Sequence, residues 1–317
     1  MSLFTPNNEI NVSRSPFGSY INEKMIYDGR IQRISIEDIM MCVKRGNIFG
    51  VDYVILEALS ELEFATSRMV TQYLLLKNID IQQSKVSRRL KFMNGKKIIS
   101  RFKFDSDEGN PNLRVYCLEK AGKYLLLSRN YKCNWKQSDN TRPIDMVKEI
   151  CSRNQLLLNY REKIGEKIEK YEINPIYKLR SSGDTLKPHL LIKFKEEYGN
   201  ETMIFHAIRS YEGYKSKTEE LLKKYQEFYE YFSPTKDMYK PPILVLIGEL
   251  DKHIFEIFKI ILKNKIKLKN MEFRYTTDLR TLNENLNKSI IDFQINVEEG
   301  KNKVKIKELN FPLLKRE

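Results

Sequence analysis

At 317 residues the chain has room for about two domains. Its 41% hydrophobic and 11% aromatic content is enough to build real cores, and only 13 Gly and 10 Pro exclude collagen-like, linker-dominated and low-complexity chains. Lys and Arg (56) exceed Asp and Glu (42), and the resulting net charge of +14 favours a polyanionic partner, nucleic acid or an anionic membrane surface, although a Lys-, Ile- and Asn-rich composition also arises from AT-rich genomes.

No stretch of about 20 apolar residues occurs, so no membrane partner is expected. Met1–Ile10 lacks a basic segment followed by an apolar one, so no secretory signal is expected. Cys42, Cys117, Cys133 and Cys151 are scattered without a Cys-x-x-Cys pair, which fits a reducing cytoplasm and argues against a structural zinc or disulfide framework. The three histidines are His189, His206 and His253, and no Walker loop, His-Glu-x-x-His or Gly-x-Ser-x-Gly is present. No catalytic residue, no metal and no cofactor is therefore expected.

Residues 1–30 are polar and aperiodic and predict a flexible arm. From Val51, the apolar residues Val54, Ile55, Ala58, Leu59 and Leu62 recur at helical spacing. Thr66 or Ser67 caps a second helix through Met69, Val70, Tyr73 and Leu74. After a break at Asn78–Asp80, a third helix runs from Gln83 to Met93 with Val86, Leu90 and Met93 inward and Gly95 at its end. Ile98–Phe104 and Arg114–Leu118 alternate as strands around a loop containing Gly109, Asn110 and Pro111, and a further helix starts at Lys120. Three helices followed by a hairpin is the order of a winged helix-turn-helix, assigned to residues 31–130.

Residues 131–143 are polar and predict an interdomain linker carrying Trp135. Beyond it, 144–317 predicts an α/β domain with a mixed sheet. Its elements are a long helix over 144–170, strands at Ile173–Leu179, Leu190–Phe194 and Met203–Ile208, and a helix from Lys215 to Phe232. The apolar run Ile243–Ile247 predicts a strand buried on both faces, followed by a helix at Ile254–Leu262 with Asp251 as its cap and strands at Met271–Tyr275 and Ile290–Ile295. The fold class expected is thus α+β.

The sharpest chemical signal lies between Arg68 and Lys103, where ten Lys and Arg stand against one acidic residue, Asp80. On the third helix Ser84, Lys85, Ser87, Arg88, Arg89 and Lys91 fall on or beside the face opposite Val86 and Leu90. Such a face suits the major groove: Arg forks onto guanine, Ser reaches bases or phosphates and Lys neutralises phosphates. Lys96, Lys97, Arg101 and Lys103 sit on the approach to the hairpin and complete the DNA-binding set. The Lys259, Lys263, Lys265, Lys267 and Lys269 run reads as a solvated face or a second phosphate-contacting patch.

The chain also resembles the replication-relaxation proteins of Gram-positive plasmids and mobile elements over about residues 50 to 260. The resemblance is carried by Ile55–Leu59, Ser87–Leu90, Ile98–Arg101, Val115–Leu118 with Ala121-Gly122, Asn154–Asn159, Leu186–Leu191, Ile204–Arg209 and Lys217–Tyr229. It implies a winged helix joined to a domain similar to the PD-(D/E)XK nuclease fold. That fold would place a metal-binding Asp after Pro188 and acids on the next strand, where this chain has His189 and His206. Imidazoles serve Mg²⁺ poorly, so the domain is expected to be a degenerate, non-catalytic scaffold.

The expected function is sequence-specific binding of double-stranded DNA in the cytoplasm. The protein would be an accessory factor in plasmid replication or conjugal DNA processing, or a transcriptional regulator. A homodimer or protein partner would contact the C-terminal domain. The alternatives are a structure-dependent nuclease with an unconventional metal site and a protein-interaction module.

Overall fold

The computed structural model describes residues 15–29, 34–106, 113–199, 201–235, 238–264, 272–282, 286–298 and 301–309. Two compact units make up the α+β chain, one of Ser19–Asn154 and one of Met1–Gly18 with Gln155–Glu317.

The Ser19–Asn154 unit contains β1 (Lys24–Tyr27), α1 (Ile36–Lys44), α2 (Gly50–Leu62), α3 (Ser67–Leu76), α4 (Gln83–Gly95), β2 (Ile99–Asp105), β3 (Arg114–Leu118), α5 (Lys120–Leu127) and the first half of α6 (Ile144–Ile164). Its core follows the helical spacing in the sequence. Ile55, Leu59 and Leu62 of α2, Val70 and Leu74 of α3, and Val86, Leu90 and Met93 of α4 are all buried, each such side chain contributing about 1.5–3 kcal/mol relative to exposure. α3 starts at Thr66, whose side chain accepts from the Met69 N–H, and ends where Asn78 turns left-handed (φ 59°).

Two expectations for this unit need correcting. Residues 15–29 of the expected arm are ordered: β1 adds a third antiparallel strand, with Tyr27 opposite Phe102 of β2, which in turn lies opposite Val115 of β3. Residues 131–143 are packed chain rather than a linker. Trp135 is buried and donates to Asn140, Asn140 donates to the Leu118 carbonyl, and Lys123 donates to the Trp135 carbonyl. One large aromatic with a polar edge binds the segment down, which outweighs its polar composition. The boundary falls instead inside α6, between Asn154 and Gln155. Gly109, Asn110 and Pro111 lie outside the described residues.

The other unit holds β4 (Ile168–Ile173), β5 (Tyr177–Lys178), β6 (Thr185–Leu186), β7 (Leu190–Phe194), β8 (Thr202–Ala207), α7 (Tyr214–Glu230), β9 (Ile243–Gly248), α8 (Asp251–Lys263), β10 (Phe273–Thr277), α9 (Asp278–Leu282), β11 (Ile291–Glu298) and β12 (Lys301–Glu308). Seven strands form one mixed sheet in the order β12-β11-β10-β9-β8-β7-β4, parallel at β8–β9 and β9–β10 and antiparallel elsewhere. Alternate residues serve opposite faces. Leu191, Ile204, Leu244 and Leu246 pack with α7 and α8, while Leu190, Ile192, Phe205 and Val245 pack with Leu156, Leu157 and Tyr160 of α6. The apolar run of β9 is buried on both faces for this reason.

The expected helix over 144–170 stops at Ile164, because Ile168–Ile173 satisfies its backbone as β4 against β7. Asp251 is the first residue of α8 rather than its cap, and its carboxylate pairs with Arg280 at 2.8 Å. Arg209 and Asp278 are both fully buried and form an ion pair, to which Ser15 adds a hydroxyl donor.

Gly122 lies where α5 crosses the start of β2. A Cβ at this position would stand 2.6 Å from the Ile98 carbonyl oxygen, a backbone atom that cannot swing aside. Gly122→Ala should therefore destabilise the protein by about 1–3 kcal/mol, read as a lowered urea midpoint at unchanged slope. An unchanged midpoint would show that α5 can shift freely.

Candidate nucleic-acid interface

α3 and α4 are joined by the short turn after Asn78. The first-turn N–H groups of α4 follow Gln82, which makes no side-chain capping bond. Gln82, Gln83, Ser84, Lys85, Arg88 and Lys91 are exposed and Ser87 is half-buried, while Val86, Leu90, Met93 and Asn94 face the core. The amides of Gln82 and Gln83 are exposed and uncharged, so the basic pattern does not pick them out, and the Gln83 amide reaches the Ser67 hydroxyl at 3.4 Å. Their place at the head of a helix with an apolar inner stripe was the available signal.

Arg89 is not part of this outward face. Its guanidinium donates to both carboxylate oxygens of Asp52 in α2, at 2.8 and 2.6 Å, and to the Asn47 carbonyl at 2.7 Å. It also lies over the rings of Phe49 and Phe92, at 4.4 and 4.6 Å from their centroids. Asp52 is 0% exposed and accepts from the Phe49 N–H as well. A buried carboxylate requires a cation and further donors, and that demand draws Arg89 inward from the flank of α4.

The hairpin end shows a similar division. Lys96 is exposed, and Lys97 and Lys103 are half-buried. Gly95 is the last residue of α4, Lys97 turns left-handed (φ 52°), and the Ile98 N–H returns to the Met93 carbonyl at 3.0 Å to close the helix. Arg101 is committed to Asp28, bonding its carboxylate and its carbonyl at 3.0 Å each, and Arg114 reaches the same carboxylate at 3.4 Å. Among the described residues Lys85, Arg88, Lys91, Lys96 and Lys103 have no carboxylate partner. Within the Arg68–Lys103 segment, the cations left to an outside anion thus include three on α4, Lys96 just after it and Lys103 on β2.

In the other unit, His206 of β8 and His189, just before β7, are brought together with ring centroids 4.1 Å apart and planes within 25°. The Ala207 N–H donates to Nδ1 of His189 at 3.0 Å, so that nitrogen is unprotonated and the neutral ring carries its hydrogen on Nε2. Nδ1 of His206 lies 3.1 Å from the Tyr225 hydroxyl. Burial pushes the His206 pKa down to about 3. His253 is also buried, its Nδ1 accepting from the Glu249 N–H at 3.2 Å, and burial pushes its pKa to about 4 against the pull of Glu249. Among the described residues no group of three or more His, Cys, Asp or Glu is placed to hold a metal ion. Of the lysine run, Lys259 pairs with Glu256 at 2.7 Å, and Lys265, Lys267 and Lys269 lie outside the described residues.

The two arginines of α4 should separate in a mutational test. Arg89→Ala leaves Asp52 buried without its cation and should cost about 3–5 kcal/mol in chemical denaturation, whereas Arg88→Ala should stay within about 0.5 kcal/mol of wild type. Equal effects would refute the division. The neutral histidines fix a pH dependence. Unfolded imidazoles titrate near 6.5, so stability is complete above that pH and is lost below it as the unfolded chain binds protons that folded His206 and His253 refuse. The urea midpoint should fall from pH 7 to pH 4, and less steeply in His206→Gln. Parallel pH profiles would refute the assignment.

No family model matches the chain, and no curated protein matches it. Among solved structures, the chain is similar to one described as the crystal structure of protein VC1899 from Vibrio cholerae, at 8% identity and a TM-score of 0.28, over 84% of this chain and 56% of that one. The chain thus spans little more than half the length of that protein.

Proposed function

We propose that the protein binds double-stranded DNA through the Ser19–Asn154 unit, with α2, α3 and α4 as a helix-turn-helix, β2 and β3 as its wing, and α4 in the major groove. The observation that carries this reading is the outward face of α4. Ser84, Lys85, Arg88 and Lys91 are exposed there, and the cations among them lack carboxylate partners among the described residues, while the opposite face is locked into the core. Gln82, Gln83 and Arg88 would read base edges, Gln onto adenine and Arg onto guanine. Lys85, Lys91, Lys96 and Lys103 would neutralise phosphates, and Lys97 adds charge beside them. Arg89 and Arg101 act as braces for this surface rather than as contacts.

The other unit is proposed to be a non-catalytic scaffold related to the PD-(D/E)XK nuclease fold. The neighbouring His189 and His206 support this, since both rings spend ring nitrogens on local hydrogen bonds where a magnesium nuclease needs carboxylates. The biological setting favoured by the resemblance to replication-relaxation proteins is a mobile element, with the protein serving replication, conjugal DNA processing or transcription in the cytoplasm.

The test is fluorescence anisotropy with labelled duplexes from the gene's own genomic neighbourhood, over a salt series. Four cations on phosphates predict a log–log salt slope of about −3.6, and Lys96→Ala should reduce it by about one. Arg88→Ala should cost about 1–3 kcal/mol on the preferred duplex and relax the preference. Wild-type affinity in a folded Lys85→Ala, Arg88→Ala, Lys91→Ala triple variant would refute the interface.

A further inference from the structure

α1 is specified at both ends by local chemistry. Ser35 accepts from the Asp38 N–H at 3.1 Å and Asp38 accepts from the Ser35 N–H at 3.3 Å, a reciprocal box at the N-terminus. At the C-terminus Gly46 turns left-handed (φ 69°) and the Asn47 N–H returns to the Cys42 carbonyl at 2.9 Å. Yet this nine-residue helix buries one side chain fully, Ile39. Its outward face keeps Ile36 52%, Met40 43% and Met41 44% exposed. A soluble helix normally turns such residues inward.

The charges on the same face show what fits it. Glu37 and Lys44 are seven residues, two turns, apart and so stand on one side of the helix, flanking Met40 and Met41. Both are exposed, and neither has an oppositely charged partner among the described residues. The face therefore reads acid, apolar, base along its length. A copy laid antiparallel about an axis between Met40 and Met41 sets each Glu37 against the other chain's Lys44, stacks methionine on methionine and opposes the two helix dipoles. A parallel copy would set like charge against like.

We propose that α1 is a self-association surface, through which two copies of this chain pair antiparallel about a two-fold axis at Met40 and Met41. The interface is isologous, so one acid–base pair in the sequence yields two across the dimer. A helix of this length spans about 13.5 Å, and one face of it is smaller than a standard specific interface, so the dimer is weak. This surface is distinct from α4 and does not rest on the DNA-binding reading.

The experiment is sedimentation of the full chain at low salt up to about 0.5 mM, a range that resolves weak association. Wild type should show a monomer–dimer equilibrium that weakens with added salt. Glu37→Lys and Lys44→Glu, each placing like charges across the axis, should each associate at least about tenfold more weakly while remaining folded, with only the small loss of stability that a charge opposed to the helix dipole brings. An equimolar mixture of the two variants should recover wild-type association, because each supplies the charge the other lacks. A strictly monomeric wild type, variants that dimerise as well as wild type, or a mixture no better than its components would each overturn the proposal. Recovery in the mixture also shows that both variants are folded.

Discussion

The carboxylate of Asp52 is fully buried, and the Ser19–Asn154 unit is arranged around that fact. Removing a carboxylate from water costs several kcal/mol unless a cation and hydrogen-bond donors replace the solvent. Arg89 supplies the cation from α4, and the Phe49 N–H supplies a donor at the start of α2. The same guanidinium reaches the Asn47 carbonyl and stacks on Phe49 and Phe92, so one side chain ties α4, the head of α2 and the loop before it. With Arg89 committed inward, the rotation of α4 about its axis is set, and Lys85, Arg88 and Lys91 are left facing solvent.

Similar ties hold the rest of that unit. Asp28, at the end of β1, gathers Arg101 and Arg114, which offsets one of their two charges on this sheet. At the far end of α2, Glu63 forms the centre of a three-residue turn (φ 64°, ψ −63°) closed by the Phe64 N–H on the Leu62 carbonyl at 2.7 Å, and it pairs with Arg153 and Arg142. Burial alone would raise its carboxyl, but Arg153 and Arg142 outweigh that and hold it below the usual range. Asn154 donates to the carbonyls of Leu62 and Phe64, so the first half of α6 satisfies the final carbonyl of α2 and one in the turn that follows it.

The sheet unit solves its polar problems internally. Arg209 and Asp278 neutralise each other with no exposure, and Gln155 and Asn159 of α6 donate to Asp278 and Thr281. His189 and His206 stack as neutral rings at the edge of the helix-covered core, each engaged with a neighbour in the same unit. These contacts hold strands and helices in register.

The sequence by itself determined the elements whose apolar period is strong. The stripes Ile55–Leu59–Leu62 and Val86–Leu90–Met93 and the run Ile243–Ile247 announce α2, α4 and β9, because a side chain that must leave water recurs with the geometry of its own backbone. It also announced that the basic residues cluster on and around α4. Weak local signals were lost: β1 is four residues long, α1 buries only Ile39, and one residue, Trp135, pins a polar segment by its bonds with Asn140 and Lys123. Which cations remain available was settled only by tertiary structure. Arg88 and Arg89 are adjacent and chemically identical, and although the helix period sets Arg89 nearer the apolar stripe of Val86 and Leu90, it names no partner for it. The buried charge of Asp52, 37 residues earlier, claims one and leaves the other to solvent, because a carboxylate cut off from water must be met by the nearest cation that the packing allows.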